Sequence, residues 1–497
     1  MDWTGANRAG VMKVQVIIGL EIHVQLSTQT KLFCGCPVRF AAPPNSLVCP
    51  VCLGLPGALP VINKRAVDYA ILAALALRCQ VSTFTKWDRK GYYYPDLPKN
   101  YQISQYDLPL GRAGFIEVAG DDHKLHRIRI RRVHLEEDAG KNLHAAGDYS
   151  QVDLNRAGTP LLEIVTEPDI SSASQAKALA VELQRIVRYI GVSEADMQKG
   201  HMRFEPNVNL RIEKDGRVFK TPIVEIKNLN SFRALEQSID FEIHRQLEEF
   251  ESGGQTMQAG NKTTRGWDDQ RQVTVLQRQK EEAEDYRYFP DPDLLPVAID
   301  QGWLDQVKAQ LPELPLERQM RFVREYGLSD YDASVLTADR SCAELFDQAI
   351  KAGGRPKRVC NLLTQVGLRI ANERGCPMSQ LGLKPSDLAC LAGMIDEGKV
   401  NTSGGVKILE QMVATGQDPL TLARRLELVQ TSDGGQLEQV VDQVLASQPK
   451  AAEDAKSGGK KAQKAFSFLV GQVMQATKGR ANPNLVAQII RKRLGLD

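Results

Sequence analysis

Val14-Gln15-Val16-Ile17-Ile18-Gly19-Leu20-Glu21-Ile22-His23-Val24-Gln25-Leu26 is the stretch whose reading decides the fold. Side chains alternate between the two faces of a strand. Val14, Val16, Ile18, Leu20, Ile22, Val24 and Leu26 therefore share one face, and Gln15, Ile17, Gly19, Glu21, His23 and Gln25 the other. The first face demands burial. The second presents Glu21 and His23 side by side, roughly 7 Å apart at their α-carbons. A carboxylate beside an imidazole can hold a metal or move a proton.

The same construction recurs downstream. In Leu161 to Glu167, Glu163 and Glu167 share a face with Leu162 and Ile164 behind it. In Arg203 to Ile212, one face carries Arg203, Glu205, Asn207, Asn209 and Arg211. Glu225 and Lys227 repeat the pattern in front of Val224 and Ile226. Half-buried strands normally turn polar residues to water, so any one of these is compatible with a solvated face. The recurrence of Glu, His, Asn and Arg favours a cleft, because these are metal and phosphate ligands. The run His134-Leu135-Glu136-Glu137-Asp138-Ala139-Gly140-Lys141 adds carboxylates able to complete a magnesium site. Pro206 implies an edge or a bulge, which sets Glu205 apart from the expected site residues.

Two helices are marked by their caps and spacing. Ser171 or Ser172 starts one whose apolar face runs through Leu179, Leu183, Ile186, Val187 and Ile190, stopped at Gly191. Ser231 starts another with Leu235, Ile239, Ile243 and Leu247, ending before Gly253-Gly254. Both would cover a sheet. Beyond Asp291-Pro292-Asp293-Leu294-Leu295-Pro296 the strand signals thin out, and Leu311-Pro312-Glu313-Leu314-Pro315 is a second boundary signal. The expected class is α+β, in three parts. An N-terminal domain, 1–296, is built on an antiparallel sheet with covering helices. An all-helical domain, 297–405, and a small helical tail domain, 406–497, follow.

The length of 497 residues exceeds what one core supports. With 42% hydrophobic and 25% charged residues, the composition is that of an ordinary soluble globular protein. Lys+Arg (63) nearly balance Asp+Glu (61), so any nucleic-acid surface is local. The basic residues Lys460, Lys461, Lys464, Lys478 and Arg480 of the tail form such a candidate surface for RNA. No membrane-spanning stretch and no signal peptide are visible, which points to the cytoplasm.

Four of the nine cysteines crowd into Cys34-Gly35-Cys36 and Cys49-Pro50-Val51-Cys52. Two chelating pairs separated by a loop suit a tetrahedral structural zinc; two disulfides or four free thiols are the competing readings. No phosphate loop, dinucleotide fingerprint, serine elbow or His-Glu-x-x-His motif is present, and no Ser-Gly-Gly-Ser nucleophile region. The chain is therefore not expected to release ammonia from glutamine itself.

Longer strings carry a resemblance. They include Ile18 to Leu26, Tyr93-Tyr94-Pro95-Asp96-Leu97-Pro98-Lys99-Asn100-Tyr101-Gln102, Val152-Asp153-Leu154-Asn155-Arg156-Ala157-Gly158-Thr159-Pro160, Glu225-Ile226-Lys227-Asn228-Leu229-Asn230 and Glu284-Asp285-Tyr286-Arg287-Tyr288-Phe289-Pro290. Thr477-Lys478-Gly479-Arg480-Ala481-Asn482-Pro483 belongs with them. Across nearly its whole length the chain resembles the B-type subunits of the glutamyl/aspartyl-tRNA amidotransferases. The resemblance implies a cradle-shaped N-terminal domain and a mobile helical tail. It also implies that ATP and magnesium phosphorylate the side-chain carboxylate of misacylated Glu-tRNA(Gln) or Asp-tRNA(Asn). Ammonia would come from a glutaminase subunit of the amidase family, with a third, small subunit completing a heterotrimer. Under it Glu21, His23, Glu136 and Glu163 are the expected magnesium and phosphoryl-transfer residues, with Glu137, Asp138 and Glu225 next. Arg156 and Lys227 are the expected phosphate holders. A non-catalytic, zinc-braced RNA-binding scaffold is the alternative, and a free-standing metal-dependent hydrolase a third reading.

Overall fold

The computed structural model describes residues 12–120, 124–144, 149–254, 256–258, 260–279, 286–429, 434–457, 459–477, 481 and 483–496. It divides into two compact units, Met1–Leu314 and Pro315–Asp497, the division falling within the second proline-rich signal. Lys478 and Arg480 lie outside the described residues.

In the first unit, strands β1 (Lys13–Gln25), β2 (Gln80–Val81), β3 (Gly111–Ala119), β4 (Leu125–Glu137), β5 (Pro160–Thr166), β6 (Met202–Lys214), β7 (Arg217–Lys220), β8 (Val224–Lys227), β9 (Thr263–Asp268) and β10 (Val273–Gln279) make one sheet. Its order is β10-β9-β8-β6-β1-β5-β4-β3-β2, with β7 folded onto β6. The expected antiparallel sheet is present with one exception, the parallel pair β8 and β9.

The alternation read in β1 is what places it at the centre. Ile18, Ile22, Val24 and Leu26 are fully buried, and Leu20 nearly so. On their side lie helices α1 (Lys64–Ala76), α2 (Ala173–Tyr189) and α3 (Phe232–Glu251). α2 starts at Ser172, whose hydroxyl accepts from the Gln175 amide, and α3 at Ser231, which accepts from Ala234. Their apolar stripes join the same core, through Leu179, Leu183 and Ile186 of α2 and Leu235, Ile239 and Ile243 of α3. An N-cap hydroxyl satisfies an amide that the helix itself leaves open. Ser231→Ala is expected to lower the stability of this unit by about 1 kcal/mol, read from the urea midpoint of its unfolding transition.

Pro206 neither breaks nor bulges the pairing of β6 with β1, where Leu20 stands opposite it without a register shift. β8 pairs only with Asn207 and Val208 of β6, so Pro206 stands one residue beyond that pairing. The missing amide proton of proline is tolerated there.

A three-stranded sheet of Asp88–Gly91, Tyr101–Ser104 and Phe289–Pro290 is separate from the large one. Among the described residues, the second unit is built of helices, from Pro315–Tyr326 to Pro483–Leu494. Its last four helices gather a small core of their own around Leu437, Val441, Leu469, Val473, Val486 and Ile490. No helix among the described residues is long and apolar enough to cross a membrane.

Candidate active site

The polar face of the large sheet opens into a cavity of about 560 Å³. Register brings its residues together. His23 on β1 stands opposite Glu163 on β5 and Arg203 on β6, while Glu163 stands opposite His134 on β4. Glu136 lies two residues beyond His134, on the same face. The His23 Nε2 atom is 3.5 Å from Glu163 Oε2 and 3.6 Å from Glu136 Oε1. These three side chains offer ligand atoms close enough to share one metal ion. His134 Nε2 packs 3.6 Å from Glu163 on its other side.

A second such group lies beside the first. Glu21 stands opposite Glu205 across the β1–β6 pairing, and with Glu225 of β8 they form another set able to share an ion. Lys227 Nζ sits 2.6 Å from Glu205 and 3.1 Å from Glu225. Asn207 Nδ2 donates to Glu21 at 3.0 Å. Glu21 thus falls in a different set of ligand atoms from His23, Glu136 and Glu163, although all four line the one cavity.

Burial and charge set the protonation states. Burial opposes a charge on His23, but its hydrogen bond to Glu163 and the charges of Glu205, Glu163 and Glu136 outweigh it and raise its pKa to about 9. Burial pushes the Glu136 carboxyl up to about 7, with Glu163 adding to the shift. Burial also opposes the charge of Glu163, yet the imidazoles of His134 and His23 hold it well below the usual carboxylate range. His134 is pushed down to about 4 by burial. Neighbouring groups driven in opposite directions are characteristic of sites that handle protons and ions.

Around these groups the cavity sets acidic side chains against the cations of Lys90, Arg131, Arg132, Arg203, Lys227 and Lys262. Lys90 comes from the Asp88–Gly91 strand, with its Nζ 4.8 Å from the Tyr286 ring centroid. Tyr286 and Tyr288 line one wall, and Tyr288 stacks on Tyr106 with centroids 4.1 Å apart. Such a surface suits a polyanion with divalent ions, since cations and carboxylate-held metals both face phosphate oxygens.

Not every expected residue joins. Strand alternation turns Glu137 to the opposite face from Glu136, where it pairs with Lys99 and accepts from the Ile103 amide at 3.0 Å. Arg156 lies outside the cavity; its guanidinium is 3.4 Å from Asp138 and donates to the carbonyls of Ala139 and Gly140. Asp138 does line the cavity, held by Arg203 at 2.9 Å. Glu167 pairs with Arg131 and does not line the cavity. Conversely, Lys90, Arg132 and the two tyrosines line the cavity although the strand pattern did not single them out, and Glu205, on the polar face but set apart because of Pro206, lines it as well. The long string around Tyr286 carried the only signal for the tyrosines.

Behind the sheet, Cys34, Cys36, Cys49 and Cys52 converge, their sulfurs within 4.8 Å of one another and none in a disulfide. The contact from Cys34 holds the Cys52 thiol down at about 4, and Lys31, whose Nζ lies 3.6 Å from Cys52 Sγ, adds to the effect. A preformed tetrathiol group with a stabilised thiolate fits a tetrahedral soft-metal site.

Comparison with known proteins agrees with this geometry. Residues 16–305 match the family model described as the GatB/GatE catalytic domain, and residues 344–494 that of the GatB domain. A protein of Carboxydothermus hydrogenoformans, named as the B-type subunit of aspartyl/glutamyl-tRNA(Asn/Gln) amidotransferase, is 49% identical, over 97% of this chain and 98% of its own. Proteins of the same name from Persephonella marina (47%, 97% and 100%) and Thermotoga maritima (46%, 97% and 99%) are similar over the same extent. The sheet, its polar cavity and these full-length likenesses lead to one conclusion: the chain belongs to the GatB family, the B-type subunits of the aspartyl/glutamyl-tRNA(Asn/Gln) amidotransferases.

Proposed function

We propose that this chain performs the ATP-dependent step in converting Glu-tRNA(Gln), Asp-tRNA(Asn) or both to Gln-tRNA and Asn-tRNA, acting in the cytoplasm on misacylated tRNA. The observation that carries the reading is the pair of acidic groups, His23–Glu136–Glu163 and Glu21–Glu205–Glu225, in one cavity ringed by cations. A carboxylate is a poor electrophile. An oxygen of the aminoacyl side-chain carboxylate attacks the γ-phosphorus of ATP, and ADP departs. Ammonia then attacks the acyl carbon of the resulting acyl phosphate, inorganic phosphate leaves, and a proton is lost to give the amide. The chain carries no ammonia-releasing motif, so a partner glutaminase of the amidase family supplies the ammonia, with a further small subunit in the heterotrimer.

The two acidic groups would hold magnesium, which when bound neutralises charge on the transferring phosphoryl group. Lys90 and Arg132 orient phosphate oxygens, and Lys227 keeps Glu205 and Glu225 from repelling one another. Arg203 fixes Asp138 at the cavity edge. Cys34, Cys36, Cys49 and Cys52 would hold zinc, whose contribution is a structural cross-link with no open position. A non-catalytic scaffold would have no use for a buried His–Glu–Glu group, which argues against that alternative.

The test is reconstitution with the partner subunits, ATP, magnesium, glutamine and misacylated tRNA. Amidated tRNA should form with ADP release dependent on the misacylated tRNA; ADP release indifferent to tRNA would overturn the reading. The tail, 406–497, is assigned to tRNA binding. Replacing Lys460, Lys461 and Lys464 together by alanine is expected to weaken tRNA binding and flatten its salt dependence by about one to two in log–log slope. ATP affinity should be unchanged, as isothermal titration would show.

A further inference from the structure

Lys31 is fully buried, one of the largest side chains in the molecule to be so, and no carboxylate lies within ion-pair distance of it among the described residues. Its Nζ atom has two partners, Cys52 Sγ at 3.6 Å and the Leu154 carbonyl at 3.5 Å. A buried ammonium needs a counter-charge, and a carbonyl alone does not supply one. Cys52 is the buried thiol of the knuckle, whereas Cys34, Cys36 and Cys49 are partly exposed. Water can answer charge on those three. At Cys52 the task falls to Lys31 and to the Cys49 amide, 3.1 Å from the sulfur. Four thiolates around a divalent ion carry excess negative charge, so such a site is served by a cation held close to it.

The same lysine stands at a junction. Its amide donates to the Cys36 carbonyl at 2.9 Å, and the next amide, that of Leu32, to the Gly158 carbonyl at 2.8 Å. Gly158 in turn donates to the Asp138 carbonyl at 2.9 Å, and the Asp138 amide to the Thr159 carbonyl at 2.8 Å. At Gly158, where φ is +67° to +84° territory only glycine enters freely, a Cβ would stand 3.5 Å from Cys52 and 3.6 Å from Lys31. Knuckle, lysine and segment 154–159 are therefore packed against one another. A space-filling role would be served as well by methionine, which has a similar length and no charge to satisfy.

We propose that Lys31 is the positioning residue of the cysteine knuckle: its ammonium answers the Cys52 sulfur of the metal-loaded site and, through the Leu154 carbonyl, makes the order of segment 154–159 depend on metal. The inference rests on the reading that the four cysteines hold zinc. Zinc fixes the Cys52 sulfur in place. Without it the sulfur that Lys31 answers is free to move, and the lysine is held by one carbonyl.

The test uses the full chain, stripped of metal and titrated with zinc in competition with a chromogenic chelator. Lys31→Met should weaken zinc binding about 10- to 100-fold. Lys31→Arg, which keeps the charge, should recover most of that loss. Cobalt in place of zinc supplies a spectroscopic signature: the thiolate-to-metal absorption band should move in Lys31→Met and hold in Lys31→Arg. Hydrogen exchange of peptides spanning 154–159 should slow when zinc is added to the wild type and respond much less in Lys31→Met. Should Lys31→Met fail to fold, the exchange experiment on the wild type decides alone. Unchanged zinc affinity and cobalt spectrum in Lys31→Met, or wild-type exchange over 154–159 that is indifferent to zinc, overturns the inference. A wild-type chain that takes up no zinc would sink the zinc reading itself, and this inference with it, a result distinct from either of those.

Discussion

Exchanging Glu163 for glutamine is expected to lower tRNA-dependent ADP release by about 10²- to 10³-fold while tRNA affinity stays within about 2-fold. The side chain keeps its size, so the strand pairing of β5 with β1 and β4 has no reason to change. What is lost is the negative charge on which His23, His134 and Arg132 converge, at 3.5, 3.6 and 3.5 Å. Without it the His23–Glu136–Glu163 group loses its most strongly anionic ligand, and the His23 cation keeps only Glu136, at 3.6 Å, as a contacting carboxylate. Steady-state ADP release and filter binding of misacylated tRNA, on the same preparation, separate the two effects. A loss of both together would mean that Glu163 serves the fold.

Cys52→Ser should abolish metal retention at the cysteine knuckle. Wild-type protein is expected to carry about one zinc per chain by elemental analysis and the variant close to none. Cys52 is the buried member of the four, reached by Lys31 and by the Cys49 amide at 3.1 Å. A hydroxyl cannot supply the thiolate that this environment favours. The unfolding midpoint of the first unit should fall by about 5 °C or more, since metal affinity at such a site contributes directly to folding. Wild-type protein that carries no metal as purified, and that unfolds at the same midpoint with and without added zinc, would exclude the zinc reading.

Much of the fold was legible because its governing pattern is local. The strict alternation of β1 and the serine caps of α2 and α3 each lie within a few residues, and each element stands where its pattern put it. Convergence in the site is different. That His23 meets Glu163, and Glu163 meets His134, depends on register between strands more than a hundred residues apart in the case of β1 and β5. Strand composition does not state register.

Phase was equally hidden. In the run His134 to Lys141 nothing local tells whether Glu136 or Glu137 faces the cavity, and the alternation set by Leu135 and Val133, both fully buried, decides it. Glu205 was set aside because proline implies an edge or a bulge, yet Pro206 occupies a place where β8 makes no demand on its nitrogen. Lys90 lies on a strand of only four residues, too short for periodicity to register. Arg156 was expected as a phosphate holder through the resemblance; its guanidinium donates to the carbonyls of Ala139 and Gly140, and it does not line the cavity.

The central claim is that phosphoryl transfer occurs on the polar face of β1, and the most direct test compares the assembled wild-type complex with His23→Ala and Glu136→Ala. ADP release driven by misacylated Glu-tRNA is measured with magnesium present, alongside glutamine hydrolysis and tRNA binding. The account predicts that ADP release collapses in both variants while tRNA binding persists. Undiminished ADP release in both would place the chemistry elsewhere and leave this chain a scaffold.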